Sequence, residues 1–263
     1  MLIEFGTAFY VSMFAAIVGA FWLSAWFPLD DAPPGYVHML RNFTIWLCGF
    51  ALADYVVADY WLGLPQLLLE QPPGLLYWMG VENVWVLAAI GIFAVDLSDY
   101  VYHRMSHHFP WLWRLHAVHH TDRVLDISTS LRGHPLDLVL ANFWKIGVAI
   151  LLGVPIWVIA LREVLIFPLI FIQHANVRLP RRFEVAVGKV FITPMIHRVH
   201  HSIHREEHDS NYGESLILWD KLFGSYRHPE SDRPAVYGVR DCEGDDFQSL
   251  DGMLLTPFRM RSR

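Results

Sequence analysis

Long apolar segments constrain the fold of this chain more than any other feature of its sequence. There are five of them, at residues 2–27, 39–62, 81–101, 136–152 and 156–171. A stretch of about 20 apolar residues has the length of a membrane-spanning helix. The composition agrees, because 54% of the residues are hydrophobic and only 17% are charged. The second segment contains Asp54 and Asp59 and either spans the membrane facing the bundle interior or ends early. The sequence therefore predicts an all-α integral membrane protein built as a bundle of four to five transmembrane helices.

The fourth and fifth apolar segments predict a helical hairpin. Only Gly153, Val154 and Pro155 separate them, which is typical of a tight turn between antiparallel helices. A hairpin of this kind returns the chain to the side of the membrane that it left, so the segments before and after it lie on one face. Those flanking segments hold most of the Lys and Arg residues, and the turn holds none. The positive-inside rule then predicts that they form a helical cap on the cytoplasmic side.

The chain is expected to divide into three regions. Residues 1–80 would hold the N-terminal transmembrane helices and loops, including a loop at 63–80 that is rich in Pro and Gly. Residues 81–228 would form the catalytic region, with the hairpin at 136–171. Residues 229–263 are polar and mixed in charge, which predicts a polar cytoplasmic tail.

Net charge and cysteine content exclude two classes of function. The formal charge of -6 leaves no basic excess to attract nucleic acid, so no nucleic-acid partner is expected. The two cysteines, Cys48 and Cys242, lie far apart in the sequence, which excludes both a disulfide framework and a cysteine-based zinc site. Any metal must therefore be held by histidine or carboxylate side chains.

Histidines are concentrated in three short segments with helical spacing. Eight of them recur at intervals of three or four residues, so that each set lies on one helix face: His103 and His107; His116, His119 and His120; His197, His200 and His201. Neutral imidazole is a good ligand for iron, zinc, copper or nickel. Eight such ligands exceed what one metal uses, which predicts two metals with about four nitrogens each.

Two further histidines lie at the ends of the hairpin. His134 precedes the fourth apolar segment and His174 follows the fifth, so both are expected at the depth of the other histidines and extend the candidate ligands to ten. Asp99 stands one helical turn before His103, where its carboxylate is expected either to accept a hydrogen bond from that ring or to be a charge at the membrane surface. The isolated histidines His38, His108 and His228 are expected to be structural.

The histidine segments resemble those of a known superfamily. His103-Arg-Met-Ser-His107, His116-Ala-Val-His119-His120 and His197-Arg-Val-His200-His201-Ser202 are similar to the three histidine boxes of the sterol desaturase and fatty acid hydroxylase superfamily. The flanking sequences Trp113-Arg114-Leu115-His116, His134-Pro135-Leu136-Asp137, His174-Ala175-Asn176, Asn211-Tyr212-Gly213 and Leu218-Trp219-Asp220-Lys221 resemble it as well.

The resemblance covers roughly residues 96–226 and implies a fatty acid hydroxylase-like catalytic domain, which we expect over residues 81–228. It also implies a non-haem centre of two irons, for which zinc could substitute in the isolated protein, and oxygen-dependent hydroxylation or desaturation of a lipid such as a sterol or fatty acyl chain. Asn211 and Tyr212 would then shape the site near the metals. No fused haem-binding domain is expected, so electrons are expected from a separate cytochrome b5, ferredoxin or reductase. A bacterial inner-membrane location is the expected setting.

Two other functions stay open at the level of sequence. A membrane hydrolase could use zinc to activate water, although the chain contains no His-Glu-x-x-His arrangement that would supply the usual general base. A non-enzymatic metal-binding membrane protein, such as a carrier or sensor, is the third possibility. The excess of ligands argues against a carrier, which must release its ion.

Overall fold

Helices make up the structure, a computed structural model that describes residues 2–30, 35–56, 73–229 and 236–260. The α-helices are α1 (Leu2–Trp26), α2 (Tyr36–Asp54), α3 (Leu75–Trp78), α4 (Val84–His108), α5 (Pro110–His120), α6 (Pro135–Leu152), α7 (Ile156–His174), α8 (Arg181–Val187), α9 (Pro194–His200), α10 (Arg205–His208), α11 (Leu218–Leu222) and α12 (Leu250–Arg259). Short 3₁₀ helices occupy Ile127–Leu131, Arg240–Cys242 and Asp245–Gln248. Within the described ranges the chain forms isolated β-bridges but no strand.

The all-α membrane class predicted from the sequence is confirmed. Among the described residues, α4, α6 and α7 are long and apolar enough to cross a membrane, and α1 contains a shorter apolar segment at Val11–Trp26. The second predicted span, 39–62, corresponds to α2, which ends at Asp54. Its last residues, including Asp59, and the first part of the 63–80 loop lie outside the described ranges.

Helix α4 carries the chain from the apolar bundle directly into the histidines. It begins after Asn83, whose side-chain oxygen accepts hydrogen bonds from the backbone N–H groups of Trp85 and Val86 at 3.0 and 3.2 Å. It continues without interruption past the predicted end at residue 101 and stops before Pro110, which opens α5. A proline cannot continue a helix but fits its first turn. The chain therefore turns sharply between the first two sets of histidines.

The hairpin of α6 and α7 packs around α4. Gly153 ends α6 in the left-handed conformation with φ of 76°, and Pro155 immediately precedes α7. Leu87 and Ala88 of α4 share an apolar cluster with Ala149 of α6 and Val158 of α7. This packing fixes the depth of both ends of the hairpin relative to the histidines of α4.

The remaining elements enclose the histidine-bearing end of the bundle. Helix α1 packs along α7, and α2 packs along α6. The segment predicted to be a polar tail contains α12, whose Met253 is fully buried against Ile45 of α2 and Val118 of α5. The described part of this segment, residues 236–260, therefore covers one side of the histidine helix α5.

Candidate metal centre

Four helices deliver histidine side chains to one region of the molecule. Helix α4 supplies His103 and His107 near its end, α5 supplies three histidines, α7 supplies its last residue, His174, and α9 supplies the third set. Because α4 and α7 end at the same level of the bundle, residues far apart in sequence meet. His174, expected from the hairpin and not from the box spacing, is among them.

Nine imidazoles form two adjacent groups. The first contains His103, His107, His116, His120 and His200, and the second contains His119, His174, His197 and His201. Within each group, one nitrogen from every ring lies within 4.8 Å of all the others. The groups share a boundary, since the rings of His120 and His201 stack with centroids 4.7 Å apart.

The Nε2 atoms of these rings point toward one another. In the first group the Nε2 atoms of His103 and His200 are 3.0 Å apart. In the second, Nε2 of His174 lies 2.9 Å from that of His197 and 3.2 Å from those of His119 and His201. The rings thus converge on two points.

Backbone carbonyl groups orient the rings from behind. The Nδ1 atoms of His103 and His200 donate to the carbonyl oxygens of Tyr212 and Ser210 at 2.8 and 2.7 Å. His119 bonds Arg132 in the same way at 3.0 Å. A carbonyl oxygen can only accept, so Nδ1 carries the hydrogen and Nε2 of the neutral ring presents a lone pair. Facing lone pairs repel one another, and a cation between them removes that repulsion.

Two carboxylates orient further rings. Asp137 accepts a hydrogen bond from Nδ1 of His116 at 3.0 Å, and Asp209 lies 3.2 Å from Nδ1 of His107. Such carboxylate–histidine pairs fix the tautomer and raise the basicity of a metal ligand. We did not predict either role from the sequence. The only hint of a role for Asp137 in the sequence was its place in His134-Pro135-Leu136-Asp137. Asp137 does not lie one helical turn from any of the three histidine sets, so the spacing argument did not include it.

Burial keeps these rings neutral and ready to bind a metal. His120, His200 and His201 are fully buried. Desolvation lowers the pKa of each of these three rings well below its usual value, and neighbouring histidines lower it further. The pKa values of His119 and His197 are lowered for the same two reasons.

The residues present fit two metal ions. Both ring nitrogens of His120 and Nε2 of His116 are buried without a hydrogen-bond partner among the described residues, which is costly unless another ligand satisfies them. The donor atoms are all imidazole nitrogens, which suit iron, zinc, copper or nickel and do not suit magnesium or calcium. Two groups of five and four nitrogens match the predicted pair of metals.

A cavity of about 260 Å³ opens beside the two groups. Five of the nine rings line it, those of His103, His116, His119, His174 and His197. Apolar side chains line it as well, namely Trp46, Leu131, Leu138, Ala141, Phe167 and Ile170. A hydrocarbon can therefore lie in contact with apolar side chains while reaching the metal-binding nitrogens.

His134 does not join either group. Its Nδ1 accepts a hydrogen bond from the backbone N–H of Leu136 at 3.1 Å, and its Nε2 lies 3.3 Å from the carbonyl oxygen of Leu254. The ring thus caps the start of α6 and contacts α12. His134 lies at the start of α6, near the level of the histidine groups, as the hairpin predicted. The hydrogen bond that caps α6 turns its ring away from the other histidines.

Asp99 also has a different position from the one expected. Its carboxylate lies 2.7 Å from the guanidinium of Arg162 on α7 and 3.5 Å from Nζ of Lys145 on α6. Both nitrogens of His103 face other groups, Tyr212 and His200. Asp99 therefore joins α4 to the hairpin through ion pairs and accepts no hydrogen bond from His103.

Asn211 and Tyr212 lie beside the first group. The ring centroid of Tyr212 is 5.1 Å from that of His107, and its carbonyl oxygen accepts the hydrogen bond from His103. Asn211 has a positive φ of 53°, and its side-chain amide donates to the carbonyl oxygens of Ile196 and Arg227. Tyr212 touches rings of the first group, whereas Asn211 holds the loop that positions it.

Similar proteins are lipid-oxidising enzymes by name. The ornithine lipid hydroxylase OlsE of Rhizobium tropici is 29% identical over 189 residues, 68% of this chain and 53% of that protein. An alkylglycerol monooxygenase of Caenorhabditis elegans is 30% identical over 62% of this chain and 32% of its own length. A cholesterol 25-hydroxylase-like protein of Danio rerio is 29% identical over 76% of this chain and 83% of its own length.

These names agree with the predicted oxidoreductase class. The chain spans about half the length of the first of these relatives and about a third of the second. No solved structure matches the chain significantly.

The family assignment rests on the region that carries the metal centre. The profile of the fatty acid hydroxylase family matches residues 88–225, more than half of the chain. That range contains all nine converging histidines together with Asp137, Asp209 and Tyr212. The resemblance seen in the histidine boxes and their flanking sequences is thereby confirmed, and the chain belongs to the fatty acid hydroxylase family.

Proposed function

We propose that this chain is a membrane-bound non-haem di-iron oxygenase that hydroxylates or desaturates a lipid. The observation that carries the proposal is the pair of all-imidazole groups beside a cavity that is lined in part by apolar side chains. Bound iron would supply the dioxygen chemistry that an unactivated C–H bond requires. The family relationship supports iron over zinc, which would be a substitute in the isolated protein.

The residues of the chain have three tasks in this function. The nine histidines hold the metals, and Asp137 and Asp209 orient the rings of His116 and His107. The apolar wall formed by Leu138, Ala141 and other side chains binds hydrocarbon and excludes water, which protects a reactive site from side reactions. No histidine is required as an acid or base.

The lipid class follows only broadly from the relatives. Their names refer to an ornithine lipid, an alkylglycerol and, in a hydroxylase-like protein, cholesterol, at nearly equal identity to this chain. We therefore propose a lipid with an alkyl carbon that reaches the cavity, within lipid biosynthesis. The positive-inside rule supports a site on the cytoplasmic face. We further propose that electrons come from a separate donor protein and that the membrane is a bacterial inner membrane.

Mass spectrometry of lipids tests this function directly. Total lipid extracts from cells with and without the full chain are compared, in air and in isotopically heavy oxygen. The expected product is one oxygen atom heavier than its precursor and carries the heavy isotope, or is two hydrogen atoms lighter. His120→Ala should abolish it, and His228→Ala, a histidine outside both groups, should not. Turnover that proceeds without oxygen would contradict the proposal and favour zinc-dependent hydrolysis.

A further inference from the structure

A second cavity, of about 270 Å³, lies next to the metal cavity in the membrane part of the molecule. We define it here as the α1–α2 groove. Its walls come from α1, α2, the 3₁₀ helix Ile127–Leu131 and α7, through Met13, Ile17, Phe21, Met39, Phe43, Trp46, Ile127, Ser128, Leu131 and Phe171. Ser128 is the single polar residue among them. Most of the wall, including all of α1 and α2, lies outside the range that matches the family profile.

The α1–α2 groove and the metal cavity share two wall residues. Trp46 of α2 and Leu131 of the 3₁₀ helix line both spaces. On α7, Phe171 lines the groove and Phe167 lines the metal cavity, with ring centroids 5.4 Å apart. The two spaces are therefore separated by single layers of apolar side chains, and Trp46 is half-buried between them.

The outer side of the α1–α2 groove faces the surface of apolar helices. Phe21 of α1 and Phe43 of α2 line the groove and are 44% and 46% exposed. In a bundle that spans a membrane, an exposed apolar surface of this kind contacts acyl chains. A chain from the bilayer can thus reach the groove laterally, without passing through water.

From this continuity we infer that the α1–α2 groove binds one alkyl chain of the lipid substrate and leads it past Trp46 and Leu131 toward the metal-binding histidines. The described residues that line this apolar channel include one serine and no partner for a charged headgroup, so the occupant is hydrocarbon. The inference rests on the proposed function, because it names the part of the substrate that the site receives. It assigns chain-length selection to α1 and α2.

Ile17→Trp tests the assignment by filling the α1–α2 groove. The matched control is Val18→Trp, because Val18 is the next residue of α1, is 46% exposed and does not line the groove. In full-length protein in native membranes, Ile17→Trp should lower the yield of products with the longest chains by about tenfold, the discrimination that one methylene can produce in an apolar pocket. Val18→Trp should leave the product distribution unchanged.

A labelling experiment separates the substrate from ordinary bilayer lipid. A 16-carbon fatty acid with a diazirine near its methyl end is photolysed with the full-length protein in nanodiscs, and labelled peptides are mapped. Label on the groove residues of α1 and α2 that is lost in Ile17→Trp and kept in Val18→Trp supports the inference. Phe43→Ala widens the groove, so it should retain metal and extend the accepted chain length. A gain of this kind cannot come from misfolding, so Phe43→Ala tests the groove even if Ile17→Trp fails to fold.

The remaining outcomes contradict either the inference or the proposed function on which it rests. No label in the groove would exclude an alkyl chain there. Label in the groove with an unchanged product distribution in Ile17→Trp and Phe43→Ala would show a structural bilayer lipid instead. Absence of any oxygen-dependent product in the wild type would overturn the proposed function, and the labelling result would still show whether the groove holds an alkyl chain.

Discussion

At the scale of single residues, the rings of the metal centre depend on the groups that hold their Nδ1 atoms. Asp137 accepts hydrogen bonds from His116 at 3.0 Å and from the hydroxyl of Tyr102 at 2.7 Å. It stands in the first turn of α6, so it couples the hairpin to α4 and α5. The tautomer of His116 and the position of its ring are set by this one carboxylate.

Asp137→Asn should weaken metal binding while the fold is kept. An amide accepts the hydrogen bond from His116 more weakly than a carboxylate and does not raise the basicity of the ring. We expect the metal affinity to fall by roughly 10- to 100-fold, measured by titration with a competing chelator. Asp251→Asn, which changes an exposed carboxylate on α12, is the control and should have no effect. Equal affinities for the two variants would show that Asp137 is not a supporting group.

Sequence spacing predicted which histidines lie together better than which residues orient them. All eight histidines with helical spacing lie in the two groups, because the spacing of side chains on a helix is local information. Asp99 was expected either to orient His103, one helical turn away, or to be a charge at the membrane surface, and its side chain pairs with Arg162. Which partner a buried side chain meets depends on neighbouring helices, and spacing along one helix does not contain that information.

At the scale of elements, the turn of the hairpin determines how α6 and α7 lie against α4. Gly153 adopts φ of 76°, which a residue with a Cβ atom adopts only with strain. A Cβ atom on Gly91 of α4 would lie 2.9 Å from Val158, so the helices also approach closely below the turn. Both glycines allow α6 and α7 to pack closely against α4, and this packing determines the level in the bundle at which His174 lies.

Gly153→Ala should destabilise the protein by about 1–2 kcal/mol, the cost of a left-handed conformation for an L-residue. The control is Gly147→Ala in the interior of α6, where a Cβ atom meets nothing within 4 Å. That change should be neutral or stabilise the helix by about 0.5–1 kcal/mol. Thermal unfolding in detergent measures both variants. A Gly153→Ala protein as stable as the wild type would contradict the assigned turn.

The helices themselves were largely predictable, because apolar length and turn residues are local signals. The hairpin bounds at 136–152 and 156–171 agree with α6 and α7 within a few residues. The packing of α12 was not predictable in this way. Residues 229–263 are polar in composition. The few apolar residues through which α12 packs, such as Met253, can be recognised only when α2 and α5 are placed beside it.

At the scale of the whole molecule, the metal centre couples stability to pH. Burial lowers the pKa of His119, His120, His197, His200 and His201. The folded protein therefore binds protons less readily than the unfolded chain. As pH falls below the usual histidine pKa of about 6.5, the unfolded chain takes up protons that the folded protein does not, so stability falls.

We therefore expect the protein to be most stable at neutral or weakly alkaline pH and to lose stability steeply below about pH 6.5. Protonation of the ligands also releases metal, which adds to the loss. Unfolding temperatures measured in detergent from about pH 8 to about pH 5, with metal content at each point, test this. Unfolding temperatures that do not change over this range would mean that the buried histidines are not held neutral.

The central claim is that nine histidines bind two metal ions, and metal analysis of the purified full-length protein tests it most directly. The account predicts two ions per chain in the wild type. His174→Ala should lower this number, because it removes one of the four rings of the second group. His134→Asn should retain both ions, since asparagine can replace the helix-capping role of His134. A wild-type protein that binds one ion or none, or a His134→Asn protein that loses metal as His174→Ala does, would contradict the account.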